Sequence, residues 1–394
     1  MSIKSVSFKN FDASRVPSPC FVVDELAVRK NLEVLQRVQS ESGAKVLLAL
    51  KAFSMFSLAP LIDQYLSGCC ASGLYEARLA KEEFNGEVHT FSAAYTEKDL
   101  AEILAITDHL VFNSFSQWRR FQAQVQAAIR MRPNLSIGLR INPQHSEGAA
   151  DIYNPCAEGS RLGITKANFA GQDLNGISGL HFHTLCEQGF DALDRTLAVV
   201  EAQFGDYLSE LKWLNFGGGH HITAEDYDVD GLIARIKGVQ EKYQLQVYLE
   251  PGEAIAIHTG VLVAEVLDVI VNDGNIAILD TSATCHMPDT LEMPYRAEVF
   301  NSAVPGSMAN THPYSYRLGG QTCLAGDVMG DYAFQQPLVI GQRLLFDDMS
   351  HYTMVKTSTF NGIALPSIAK WNSETDELTL VRQFGYEDFK NRLS

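Results

Sequence analysis

The sequence predicts an α/β chain in which a (β/α)8 TIM barrel is followed by a C-terminal antiparallel β domain of the barrel or sandwich kind. Three observations carry this. Between about residues 20 and 255, short apolar runs alternate with longer amphipathic stretches, the pattern of βαβ units around a parallel sheet. After the first run, CFVVD, eight runs remain, which is the number that closes a barrel. Beyond residue 256 the helical patterns stop, and strand, turn and Pro/Gly-rich segments replace them.

The eight runs are AKVLLAL, GCCAS, EVHTFSA, HLVFN, LSIGLRIN, ISGLHFH, KWLNFGG and LQVYLE. Helical segments such as ELAVRKNLEVLQRVQS, TEKDLAEILAI and SFSQWRRFQAQVQAAIR lie between them. Asp24, Thr96 and Ser114 stand where N-caps are expected, and Thr96 with Asp99 resembles a capping box. A doubly wound open sheet would want G-x-G-x-x-G after its first strand, and none is there. In the last third, GVLVAEVLDVIVNDGNIAILDTSA reads as strand, turn, strand, with Asn272-Asp273-Gly274 as the hairpin signal. CFVVD precedes the barrel and is expected to join the β domain. The expected division is an N-terminal segment 1–25 that contributes to the β domain, a barrel over 26–255, and the β domain over 256–394.

Of the 394 residues, 46% are hydrophobic, ample for a large core, and the net charge is −16. Such an acidic balance argues against nucleic acid and anionic membranes as partners, and is compatible with a cationic substrate. The simplest reading of the charge is solubility. The seven cysteines are odd in number and irregularly spaced, with no C-x-x-C, which suits reduced thiols in a cytoplasmic enzyme. The first residues lack a signal-peptide core, and no apolar run approaches the roughly 20 residues of a membrane span.

Barrels of this kind build their sites at the C-terminal ends of the strands. AKVLLAL ends in Lys51, whose amine would lose basicity on burial and suit Schiff-base chemistry. A lysine snorkelling to water is the alternative. ISGLHFH ends in His181 and His183, on one face of the strand. One could pack on a flat cofactor ring while the other is a hydrogen-bonded core histidine. No third ligand accompanies the pair unless His220 and His221 are invoked, so no metal is expected. Gly217, Gly218 and Gly219 leave backbone N–H groups open to a phosphate, although tight turns also use glycine for geometry alone. Glu250 could keep a pyridine nitrogen protonated, or be a solvated strand end. In GGQTCLAGD, Cys323 could protonate a carbanion, or be a small buried residue. Lysine, histidine, glycines and carboxylate at different strand ends of one barrel jointly suit pyridoxal 5'-phosphate.

The runs ALKAF, HFH, GGG, LEPGE and GQTCLAGD, taken in order, resemble the fold-type III basic amino-acid decarboxylases, which include the ornithine, arginine, diaminopimelate and carboxynorspermidine enzymes. The likeness covers nearly the whole chain. It implies that Lys51 carries the cofactor, His183 stacks on its ring, and the glycines and Tyr352 bind its phosphate. Glu250 would meet the ring nitrogen. Cys323 would donate a proton in the active site of a partner subunit, in a homodimer whose interface pairs Arg161 with Asp327. Three departures are informative. Glu253 stands where diaminopimelate and ornithine decarboxylases carry a phosphate-holding arginine, HTLCE replaces their H-x-G-S, and Leu324 follows the cysteine where they have an acidic residue. These, with CHMPDTLEMPYR and TSTFNG, resemble the carboxynorspermidine and carboxyspermidine decarboxylase branch. The implied substrate is an amino acid with a cationic polyamine tail, for which Glu187, Asp289, Glu292 and Asp327 are candidate partners. Diaminopimelate decarboxylation would need a cation such as Arg296 for the distal carboxylate. A racemase would want arginine in place of Glu250. A non-catalytic barrel for cofactor homeostasis would lack the β domain.

Overall fold

In the computed structural model, which describes residues 4–148 and 151–394, each of the eight runs becomes a parallel strand of one closed sheet. Strand β1 (Cys20–Asp24) belongs elsewhere. The barrel is built from β2 (Lys45–Ala49), β3 (Gly68–Ala71), β4 (Glu87–Phe91), β5 (His109–Phe112), β6 (Ser136–Asn142), β8 (Gly179–His181), β9 (Trp213–Asn215) and β10 (Gln246–Leu249), with a two-residue strand β7 (Ile164–Thr165) beside β6. The order β5-β4-β3-β2-β10-β9-β8-β6 closes through β5 pairing with β6. Helices such as Leu74–Glu83, Glu97–Ile106, Phe115–Met131, Phe190–Leu208 and Val229–Tyr243 alternate with the strands. Their starts follow the residue chemistry. Thr96 accepts from the Asp99 N–H at 3.1 Å and Ser114 from the Gln117 N–H at 3.2 Å, each capping a helix N-terminus.

A packed interior keeps the barrel from being a pore. Leu47, Val111, Trp213 and Tyr248 form one buried cluster. The Trp213 indole lies over the backbone of β6 and β8, where Gly138 and Gly179 leave room for it. A Cβ at these two positions would meet the ring at 2.2 and 2.0 Å. Nearer the strand N-termini, His89 and His109 stack at 3.9 Å with planes 11° apart, and Glu87 lies beside them. The three side chains bring ligand atoms within 4.8 Å of one another, and Lys45 pairs with the Glu87 carboxylate.

The barrel strands belong to one compact unit, residues 29–255. The other unit joins the chain up to Val28 to residues 256–394. Its strands are β1, β11 (Gly260–Val271), β12 (Asn275–Leu279), β13 (Ser302–Ala303), β14 (Tyr314–Gly319), β15 (Val328–Phe334), β16 (Arg343–Asp347), β17 (Ser367–Trp371) and β18 (Leu378–Arg382). They run in the order β13-β15-β14-β12-β11-β1-β17-β18, with β16 also on β11. CFVVD therefore joins the β domain, between β11 and β17. The sheet is mixed where an antiparallel one was expected: β1 pairs parallel with β17, and β12 with β14. Both parallel pairings join strands far apart in sequence, so neither has a hairpin to reveal it. Phe8, Phe11, Val16, Val22, Val261, Val263 and Trp371 pack together as the core of this unit. All seven cysteines are free thiols. Among the described residues, no helix is long and apolar enough to cross a membrane.

Two outcomes follow from this packing. Gly179→Ala forces a methyl into the Trp213 ring and should cost about 1–3 kcal/mol of unfolding free energy in denaturant titrations. Buried histidines set the acid limit. Burial pushes His109 down to about 2, His220 to about 3 and His286 to about 4. Below the ordinary histidine value the unfolded chain takes up protons that the native chain refuses. Stability should therefore fall as pH drops from about 6.5 to 4, by up to about 1.4 kcal/mol per pH unit for each histidine. Thermal melts across that range should show the decline, and a flat profile would contradict it.

Candidate active site

Four neighbouring strands, in the order β2-β10-β9-β8, lead into the residues that the sequence marks as candidates. Lys51 follows β2, Glu250 follows β10, Gly217 to Gly219 follow β9, and His183 lies just past β8. The strand ends bring these groups within reach of one another.

Glu250 lies between two donors. Its Oε2 is 3.1 Å from His181 Nε2, and its Oε1 accepts from Asn215 Nδ2 at 2.7 Å. Burial works to raise its pKa, but His181, His89 and Asn215 together outweigh this and hold the carboxyl at about 2. Glu250 is a half-buried carboxylate, its side chain 14% exposed, with both oxygens engaged. Asn215 also reaches the glycine turn. Its Oδ1 accepts from the Gly217 N–H at 2.8 Å, tying that turn to the same carboxylate.

The glycine turn has no room for side chains. Gly217 holds φ +69, in the left-handed region, and a Cβ on Gly218 would lie 2.1 Å from the Glu250 carbonyl oxygen. The Gly218 N–H donates to His183 Nδ1 at 2.9 Å. That bond fixes the tautomer. With Nδ1 accepting, the neutral ring carries its proton on Nε2, which faces Lys51 Nζ at 3.2 Å. The amine must then accept through its lone pair, so Lys51 is a free base. Burial of the amine pushes its pKa down, with Arg140 adding to the effect against Cys70 and Glu250. The His183 pKa is likewise driven well down, chiefly by burial. An uncharged amine is the form that condenses with an aldehyde.

Two residues without a role in the sequence-based expectations, Arg140 and Asn215, complete this half of the site. Arg140, on β6, is 5% exposed, donates to the His183 carbonyl at 3.0 Å and lies 4.6 Å over the Phe91 ring. His221 lies 3.2 Å from Glu253, so the carboxylate that replaces the usual arginine has an imidazole neighbour. Arg140 and Asn215 did leave a signal: each is a polar residue inside an apolar barrel strand. Glu187 is exposed, in a left-handed conformation at φ +54. Arg161 is exposed, and its carbonyl accepts from Asn113.

The other unit holds the remaining candidates. Cys323 is exposed in the loop between β14 and β15. Asp327 differs from expectation. It is 4% exposed, and its oxygens accept from Ser282 Oγ at 2.9 Å, Thr322 Oγ1 at 2.7 Å, and the Thr322 and Thr284 N–H groups at 3.2 Å. A carboxylate so saturated anchors its own loop and has nothing left for a cationic tail or for Arg161. Asp289 and Glu292 share one internal cation, Lys356, at 2.5 Å each. Their charge of two minus is half neutralised by it. Arg296 is engaged by Glu298 at 2.9 Å and lies 4.7 Å over Tyr332. Tyr352 takes a left-handed conformation, φ +48. It ends a turn in which Asp348 receives the His258 N–H at 2.6 Å and lies against the His258 and His351 rings.

A free-base lysine, a glycine turn without room for a Cβ and a half-buried carboxylate suit the aldehyde, phosphate and ring nitrogen of pyridoxal phosphate. Comparisons with known proteins agree. Residues 20–350 match the family model for the pyridoxal-dependent decarboxylase, C-terminal sheet domain. The chain is 46% identical over 385 residues to the carboxynorspermidine/carboxyspermidine decarboxylase of Campylobacter jejuni, covering 96% of this chain and 99% of that protein. It is 47% identical over 382 residues to the carboxyaminopropylagmatine decarboxylase of Synechocystis, covering 96% of each. The crystal structure of the Campylobacter jejuni carboxynorspermidine decarboxylase complexed with norspermidine superposes with a TM-score of 0.87 at 45% identity, over 96% of this chain and 100% of that one. With its barrel, its mixed-sheet domain and a site suited to pyridoxal phosphate, the chain belongs to the pyridoxal-dependent decarboxylase family.

Proposed function

We propose that this decarboxylase acts on carboxynorspermidine and carboxyspermidine, releasing CO2 and forming norspermidine and spermidine in polyamine biosynthesis. The observation that carries the chemistry is the Lys51 amine 3.2 Å from His183 Nε2, at the end of the strand neighbouring that of Glu250, whose carboxylate meets His181 at 3.1 Å. When bound, pyridoxal phosphate supplies an electron sink for the pair left behind as CO2 departs. The residues of the chain do the rest. Lys51 would hold the cofactor through its aldehyde, since its amine is the nucleophile beside His183. His183 packs on the ring face. The glycine turn and Tyr352 would hold the phosphate, with Gly219 offering its N–H, since those of Gly217 and Gly218 are engaged by Asn215 and His183. Glu250 keeps a proton on the ring nitrogen, and His181 and Asn215 keep Glu250 ionised so that it can. Cys323 delivers the proton to the substrate Cα.

The full-length relatives support the choice of substrate. A tail with several ammonium groups suits a chain of net charge −16. Glu187, Asp289 and Glu292 are the carboxylates we assign to it, the last two with one negative charge left after Lys356. The engagement of Arg296 by Glu298 and Tyr332 counts against a diaminopimelate substrate, whose distal carboxylate needs a cation. Glu250 counts against a racemase. One second reading has a specific basis: the equally similar Synechocystis relative is named for carboxyaminopropylagmatine, whose tail ends in a guanidinium. We further propose a cytoplasmic homodimer in which Cys323 serves the partner's barrel.

Assaying CO2 release with pyridoxal phosphate tests this. Carboxynorspermidine, carboxyspermidine, carboxyaminopropylagmatine, diaminopimelate and ornithine would be offered in parallel. Turnover of the first two, lost in Lys51→Ala, is expected. Preference for carboxyaminopropylagmatine would select the second reading, and turnover of diaminopimelate or ornithine alone would overturn the substrate assignment.

A further inference from the structure

The loop that carries Cys323 is anchored at its base and exposed at its tip. At the base, the Gly320 N–H donates to the Asp327 carbonyl at 2.9 Å, and the Asp327 carboxylate gathers Ser282, Thr284 and Thr322. There is no space to spare: a Cβ on Gly320 would meet an Asp327 oxygen at 2.3 Å. At the tip, Cys323 is exposed and Leu324 is 45% exposed, so core packing does not fix the thiol. The tether there is polar. The Cys323 N–H donates to Asn361 Oδ1 at 2.8 Å.

Asn361 is itself held. It sits at φ +57, a conformation that asparagine tolerates better than most residues. The segment before it is fastened to the short helix Ala283–His286: the Ser358 N–H donates to the Cys285 carbonyl at 2.8 Å, and the Cys285 thiol meets the Phe360 carbonyl at 3.6 Å. Thr359, 4% exposed, accepts from Arg392 at 2.6 Å. Ser282, which grips Asp327, also caps that helix by accepting from the Cys285 N–H at 3.1 Å. A closed circuit results, from Ser282 through Asp327 and the loop to Cys323, then through Asn361 back to Cys285.

We infer that Asn361 is the positioning residue for Cys323, fixing the backbone of the thiol-bearing residue so that its Sγ is presented in one direction. This rests on the proposed role of Cys323 as proton donor. A cysteine has a single side-chain torsion before its sulfur, so the backbone sets most of the thiol position. A donor misplaced by 1 Å can lose up to about 100-fold in rate.

Because φ at 361 is positive, two substitutions separate the tether from the backbone conformation. Asn361→Gly keeps the left-handed turn and deletes the acceptor, whereas Asn361→Asp keeps both. Each full-length variant would be measured by kcat and KM on the carboxy-polyamine, and by amide hydrogen exchange over residues 320–327 without cofactor. We expect Asn361→Gly to lose about 10-fold in kcat with KM within about twofold, and to lose exchange protection at Cys323. Asn361→Asp should restore both. Wild-type values for either readout in the Gly variant, or an Asp variant as impaired as the Gly one, would overturn the inference. Cys323→Ala with unchanged kcat would instead overturn the donor role itself, and the inference with it.

Discussion

A half-buried carboxylate is expensive unless its charge is met, and in this barrel Glu250 meets His181 on one oxygen and Asn215 on the other. Much of the site depends on that arrangement. Asn215 passes the constraint to Gly217, Gly218 hands an N–H to His183, and His183 faces Lys51. Hydrogen bonds and the Gly217–Gly218 peptide thus connect the residue proposed for the ring nitrogen to the residue proposed for the aldehyde. The Gly218 N–H sets the tautomer of His183, which turns its Nε2 to Lys51.

The barrel makes this possible by placing four consecutive strands of the sheet, rather than four consecutive strands of the sequence, along one half of its rim. Its core is correspondingly unusual. Trp213 fills the space above two glycines, a histidine stack lies toward the strand N-termini, and Arg140 is stacked on Phe91 beneath the site. In the other unit the same economy applies to a loop. Asp327 commits its whole acceptor capacity to the base of the Cys323 segment, so a residue that reads as a substrate carboxylate in one dimension is a structural clamp in three.

Much of the barrel was legible in the sequence because parallel strands buried on both faces leave continuous apolar runs, and the residue ending each run is where barrel chemistry occurs. The runs ending at Lys51 and Glu250 and the glycines at 217 to 219 could be read in this way. The parallel pairings of β1 with β17 and β12 with β14 could not, since no local turn announces them. Nor could the pairing of Asp289 and Glu292 with Lys356, more than sixty positions away. Charge at an isolated position says nothing about which partner has already claimed it. Arg140 and Asn215 were readable as polar residues interrupting apolar strands, but only the fold shows that both point toward the residues of one site.

The central claim is electrostatic: an ionised Glu250 would keep the ring nitrogen of bound pyridoxal phosphate protonated, so that the ring can accept the electron pair left as CO2 departs. Glu250→Gln tests it most directly, since it keeps the size and the contacts with Asn215 and His181 while removing the charge. The account predicts a holoenzyme that still binds pyridoxal phosphate through Lys51, seen by its visible absorbance, but loses about 100-fold or more in kcat. A Gln variant with both the absorbance and the kcat of the parent would contradict it.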